Sequence, residues 1–173
     1  MLTIAIDAST HSTGIALFSD KKLIQYKLIE NASKDVLFRI KYMTDAIENI
    51  YKTLGNQSVQ VILEDVLPDN LSTDNQKWMR NKNTFKPLMY LQAAIVLMFN
   101  QHNVPVELVG ASTWRRKCGI KQGGATRDML KMRDVAFVRD NYEINVNDDV
   151  ADAICIGHSK VNEVPEPEPF NWE

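Results

Sequence analysis

The chain opens on an apolar run from Leu2 to Ala8, broken only by Thr3 and Asp7, which reads as a buried strand. Two more short runs, Thr13–Phe18 and Leu23–Ile29, flank the polar stretch Ser19–Lys22. The first thirty residues therefore predict a three-stranded antiparallel meander. The period then changes. Val36, Ile40, Met43, Ile47, Ile50 and Leu54 recur every three or four residues, predicting a helix with Ser33 as its N-cap and Gly55 as its stop. A fourth strand is predicted over Val59–Glu64. A polar stretch, residues 68–86, separates it from a long apolar helix over Pro87–Phe99. A strand over Val104–Val109 and a short helix over Ser112–Cys118 follow. Gly123 and Gly124 then break the chain before a helix over about 126–140 and a last helix over about 148–161, starting near Asn147.

Three antiparallel strands followed by alternating helix and strand predict an α/β domain, a mixed sheet with helices on its faces. Neither an internal repeat nor a domain linker appears. The segment Val164–Pro169, with proline at every second position, suits neither a helix nor a central strand and predicts an exposed extension.

Composition narrows the class. At 173 residues the chain fits one domain with a real core. No apolar stretch approaches the roughly 20 residues needed to span a bilayer. The N-terminus lacks a basic leader, and Cys118 and Cys155 have no metal-ligand spacing. These features lead us to expect a soluble, cytoplasmic protein without membrane partners.

The net charge of −2 conceals a segregation. Residues 77–139 hold twelve Lys or Arg against three acids (Glu107, Asp128, Asp134), a net +9. The remainder holds eight against nineteen, a net −11. A basic segment beside an acidic region points to a polyanion such as nucleic acid.

Four carboxylates are the most informative residues. Asp7 sits in the first strand, Glu64 ends the fourth, and Asp149 and Asp152 lie three apart in the last helix. A charge at the end of a buried strand is costly unless it is paired or holds a cation. Three such places in one small domain point to a divalent-metal site. Asp149 and Asp152, at i and i+3, share a helical face. Asp148, four residues before Asp152, is a rival for Asp149; its structural role would be to cap the helix or complement its dipole. Asp65 follows Glu64 and points to the opposite side of the strand. None of His11, His102 and His158 is needed.

The order of these motifs resembles the RuvC family of Holliday-junction resolvases, within the RNase H-like superfamily. The matching pieces are Ile4–Ile15, Val61–Asp65, Leu88–Leu97 and Asp149–Ala153, in the family's order of strands and helices. The short resolvases of bacteriophages look closer than the cellular enzymes. The resemblance implies an RNase H-like five-stranded sheet over residues 1–162, an acidic Pro-rich tail over 163–173, and a homodimer that nicks branched DNA by phosphodiester hydrolysis. It implies Asp7 bridging two Mg²⁺ ions, with Glu64, Asp149 and Asp152 completing the ligand set and Mn²⁺ substituting. Such ions, roughly 3.5–4 Å apart, activate a water and stabilise the leaving oxygen. The helix Pro87–Phe99 is the expected dimer seam, a core helix, or both.

For DNA, the segments Ser112–Gly119 and Lys121–Arg127 are the expected grip, with Arg115, Arg116, Lys117, Lys121 and Arg127 as phosphate contacts and glycines that let backbone N–H groups approach. Trp114 reads as a core anchor. Where cellular relatives carry an aromatic shortly after the glutamate, this chain has Leu67; Trp78, with Lys77 and Arg80, is the expected stacking platform instead. The competing reading is a sugar-kinase or actin-like ATP-binding domain, whose first phosphate motif is similar to Asp7–Gly14. No second phosphate loop appears, and such proteins need over twice this length.

Overall fold

In a computed structural model the described residues are 1–66 and 75–163, with the backbone alone over 75–84. The expected tail from residue 164 onward and Leu67 lie outside them. Strands β1 (Leu2–Asp7), β2 (Ser12–Ser19) and β3 (Lys22–Glu30) form the antiparallel meander, followed by helix α1 (Val36–Thr53). Strand β4 (Val59–Glu64), helix α2 (Asn75–Gln101) and strand β5 (Val106–Val109) come next. Helices α3 (Ala111–Lys117), α4 (Arg127–Tyr142) and α5 (Asp148–Val161) complete the chain. The sheet order is β3-β2-β1-β4-β5, with β1–β4 and β4–β5 parallel. The predicted mixed five-stranded sheet with helices on both faces is the observed one. Among the described residues no helix is long and apolar enough to cross a membrane.

Alternation along the strands sorts the two faces. Ile4, Ile6, Ile15, Leu17, Val61 and Leu63 point to one side and pack under α1 and α2. Ala5, Ala16, Phe18 and Ile62 point to the other and meet α5, with Trp114 and Val138 beside them. Each large apolar side chain so buried stabilises the fold by about 1.5–3 kcal/mol. The second face is lined by small residues, and the approach is close. A Cβ on Gly14 would fall 2.0 Å from the Asp149 carbonyl oxygen, and one on Gly157 would fall 2.2 Å from the Phe18 ring. Glycine on the sheet and glycine on the helix thus let α5 lie against β1 and β2 along its length.

Three local expectations are corrected. The second long helix begins at Asn75 and runs through Pro87, not from it. Residues 75–86 are mostly polar, with three Asn and a Thr among them, so neither propensity nor an apolar stripe signals a helix there, and Pro87 looks like a start. Asp35, not Ser33, caps α1, its Oδ1 accepting from the N–H groups of Leu37 (2.9 Å) and Phe38 (3.1 Å). Ser33 accepts from the Asp35 N–H instead. β5 is shorter than predicted because the Val104 N–H closes the end of α2 on Phe99 O and Pro105 has no N–H to give. α5 starts beside Asn147 as expected, and Asn147 rather than Asp148 is its cap, the Oδ1 accepting from the Val150 N–H.

Candidate active site

Register and parity bring the acids together. Asp7 shares the face of Ala5, and Glu64 shares the face of Ile62. β1 and β4 are parallel neighbours with Ile6 opposite Leu63, so Asp7 and Glu64 stand side by side one step further on. Asp7 also pairs across to Gly14, the residue on which the Asp149 carbonyl rests. The first turns of α5 therefore arrive over the same corner, carrying Asp149 and then Asp152. Asp65, facing away, accepts a hydrogen bond from Gln92 of α2 at 3.3 Å.

Burial perturbs Asp7, Glu64 and Asp152. Burial, then the charges of Glu64 and Asp149, raise Asp7 well above the usual carboxylate range, against the opposing pull of Lys131 and Arg115. Burial raises Glu64 as well, partly offset by the Trp114 hydrogen bond. Asp152 is pushed up to about 9 by burial and by the charges of Asp7 and Asp134. Its Oδ1 is buried and has no hydrogen-bond partner.

Around the acids stand residues whose roles the sequence did not disclose. Trp114 is fully buried, as a core anchor should be, yet its Nε1 donates to Glu64 Oε2 at 2.9 Å. Arg115 departs from the expectation of a DNA-facing cation. Its side chain is 11% exposed and its guanidinium clamps the fully buried Asp134 of α4, from Nε and from NH2 (2.8 Å), with Asp152 Oδ2 3.8 Å away. It also lies 4.2 Å over the Trp114 ring. A buried carboxylate demands such a partner, and Asp134 was one of only three acids in the basic segment, the one available hint. Ser12 Oγ donates to Asp149 Oδ2 at 2.5 Å. Lys131 of α4 hydrogen-bonds Asp148 and lies 3.7 Å from Asp149. Asp148 is thus turned toward α4, and Asp149 toward Ser12 and Asp7.

The remaining predicted residues lie at the rim or elsewhere. Arg116, Lys117, Lys121 and Arg127 are exposed, on α3, the loop after it, and the start of α4. Lys117 pairs with Glu163 at 2.7 Å. Gly124 has φ +68, a left-handed turn that favours glycine. The side chains of Lys77, Trp78 and Arg80 lie outside the described residues. His102 pairs with Glu48 and His158 accepts or donates at Tyr142, both away from the acids.

Among the described residues no three His, Cys, Asp or Glu side chains draw close enough together to chelate an ion. Mutual repulsion keeps such acids apart, and Arg115 and Lys131 stand among them. The donors are nevertheless all hard oxygens from three elements, and Asp152 Oδ1 is a buried acceptor with nothing to accept. That chemistry fits a divalent cation such as Mg²⁺.

No protein-family model matches the chain, and no curated protein matches its sequence. Among solved structures it is similar to RuvC of Thermus thermophilus (TM-score 0.66) and to T. thermophilus RuvC in complex with a Holliday junction substrate (TM-score 0.67). Each is 12% identical, with 92% of both chains covered. At that identity the likeness is one of fold: the RNase H-like fold of RuvC. A ROK hexokinase from Thermus thermophilus matches at TM-score 0.38, over 68% of this chain and 38% of its own.

Proposed function

We propose that this chain is a metal-dependent endonuclease that resolves Holliday junctions and other branched DNA by paired phosphodiester hydrolysis. The observation that carries the reading is the convergence of Asp7, Glu64, Asp149 and Asp152 on one corner of a RuvC-like fold. Those four residues would hold Mg²⁺, two ions per site, with Mn²⁺ substituting. Bound there, the metal supplies an activated water and charge stabilisation for the leaving oxygen. The chain's own contribution is to hold the acids on two strand ends and one helix and to aim Glu64 through Trp114.

The exposed Arg116, Lys117, Lys121 and Arg127 would neutralise phosphates of the DNA arms, with the Gly123–Gly124 turn bringing backbone close. Lys77, Trp78 and Arg80 remain the proposed stacking platform. Two symmetric nicks call for a two-fold dimer, and α2 offers a seam: Tyr90 and Leu97, 49% and 61% exposed, lie seven residues apart on one stripe beside Met89. A soluble protein of bacterial or phage-infected cytoplasm suits this activity.

The test is incubation with labelled four-way, three-way and linear DNA, with and without Mg²⁺. Paired nicks in the four-way substrate, only with metal, are expected. ATP turnover without any DNA cleavage would hand the assignment to the nucleotide-binding alternative.

A further inference from the structure

We propose that Lys131 belongs to the acidic site, where its ammonium, hydrogen-bonded to Asp148, stands beside Asp149 and opposes a divalent ion at that carboxylate. The inference rests on the metal reading above and divides the site into two unequal halves.

In one half, Asp152 Oδ1 is buried and unpartnered, and its neighbour Arg115 is committed to Asp134 by a bidentate pair. An ion arriving there displaces the Asp152 proton but no side-chain cation, and it offsets the charges that crowd Asp7, Glu64 and Asp152. In the other half, Asp149 has both oxygens engaged. Oδ2 accepts from Ser12, and Oδ1 lies 3.7 Å from the Lys131 ammonium. Lys131 is anchored by its hydrogen bond to Asp148, one residue earlier on α5. It sits one quarter exposed on α4, so its flexible stem lets the ammonium draw further from Asp149 while staying on Asp148. Asp148, the rival acid of the sequence reading, thereby acquires a role: it is the resting place of the competing cation.

The consequence is two classes of cation affinity within one cluster, the weaker set by Lys131. A guanidinium clamped as Arg115 is cannot serve this purpose, because leaving Asp134 would strand a buried charge. A lysine that merely tied α4 to α5 would leave cation binding at the acids unaltered.

The test is titration of the full, metal-free chain with Mn²⁺, followed by calorimetry and by the spin resonance of free Mn²⁺. Wild type is expected to bind in two classes. Lys131→Met should tighten the weaker class by about tenfold or more and leave the tighter one nearly unchanged, as removal of one close charge allows. Asp148→Asn should act oppositely, loosening the weaker class, because the ammonium is left with Asp149 alone. Arg139→Met, the same charge change at the exposed far end of α4, should alter neither class. Unchanged Mn²⁺ binding in a folded Lys131→Met chain, or equal shifts in Lys131→Met and Arg139→Met, would overturn the proposal while sparing the metal reading. No Mn²⁺ binding by wild type would overturn both.

Discussion

The two ends of the acidic cluster are built differently. Among the described residues the partners of Glu64 and Asp152 are buried or nearly so: Trp114 donates to one, Arg115 approaches the other, and Asp134 holds Arg115 from a fully buried position. Around Asp149 the partners are a hydroxyl and a partly exposed lysine, Ser12 and Lys131. Packing enforces the first arrangement; the second is held by groups that have other places to go. One end of the site is therefore preformed and the other is adjustable, and substitutions at the two ends should differ in kind.

The largest effect is expected where both ends meet. Asp7→Asn should lower Mg²⁺-dependent cleavage by about 10³-fold or more, since metal stabilisation of several kcal/mol is lost. Junction binding, measured by gel shift in Ca²⁺, should stay near normal; equal loss of binding would argue that Asp7 shapes the fold rather than the chemistry. Next comes the buried end. Asp134→Ala strands the Arg115 charge and should cost about 3–5 kcal/mol in urea unfolding. Asp148→Ala, at the adjustable end, removes a partly exposed pair and should cost at most about 1 kcal/mol. Comparable losses from the two would erase the distinction between the ends.

Acidity sharpens the contrast further. In the folded chain Asp152 keeps its proton up to about pH 9, against an ordinary value of 3.8, and Asp7 is raised in the same direction. The metal-free folded state thus binds more protons than the unfolded chain across that window. Its stability is full below the lower value and is lost as pH rises through the upper one. Melting curves without metal should fall from pH 5 to 9, and Mg²⁺ should flatten the fall. A metal-free Tm that rises over this range would contradict the buried, raised acids. The smallest effect belongs to the DNA rim. Arg116→Ala with Arg127→Ala should weaken junction binding and lower the salt slope by about one to two, with no change in unfolding.

Much of this was readable beforehand because it depends on periodicity. The apolar runs around Asp7 and Glu64 marked both as acids of buried strands, and the Asp-x-x-Asp spacing put Asp149 and Asp152 on one helical face. The Asp134–Arg115 pair was not readable, since it joins separate helices through a contact that no local pattern encodes. Trp114 was placed correctly in the core, but an indole buries its ring and aims its N–H as separate decisions, and only the second bears on Glu64. Gly14 sat inside the recognised strand motif without its reason being visible. That reason, the Asp149 carbonyl against its Cα, exists only once α5 is laid on the sheet. The start of α2 was missed for the opposite cause: a polar helix carries no apolar stripe to find.

Anomalous diffraction from crystals soaked in Mn²⁺ tests the central claim most directly. The account predicts manganese bound among Asp7, Glu64, Asp149 and Asp152, with the Lys131 ammonium further from Asp149 than the 3.7 Å seen without it. Crystals that take up manganese only elsewhere, with the four carboxylates standing as they do without it, would contradict it.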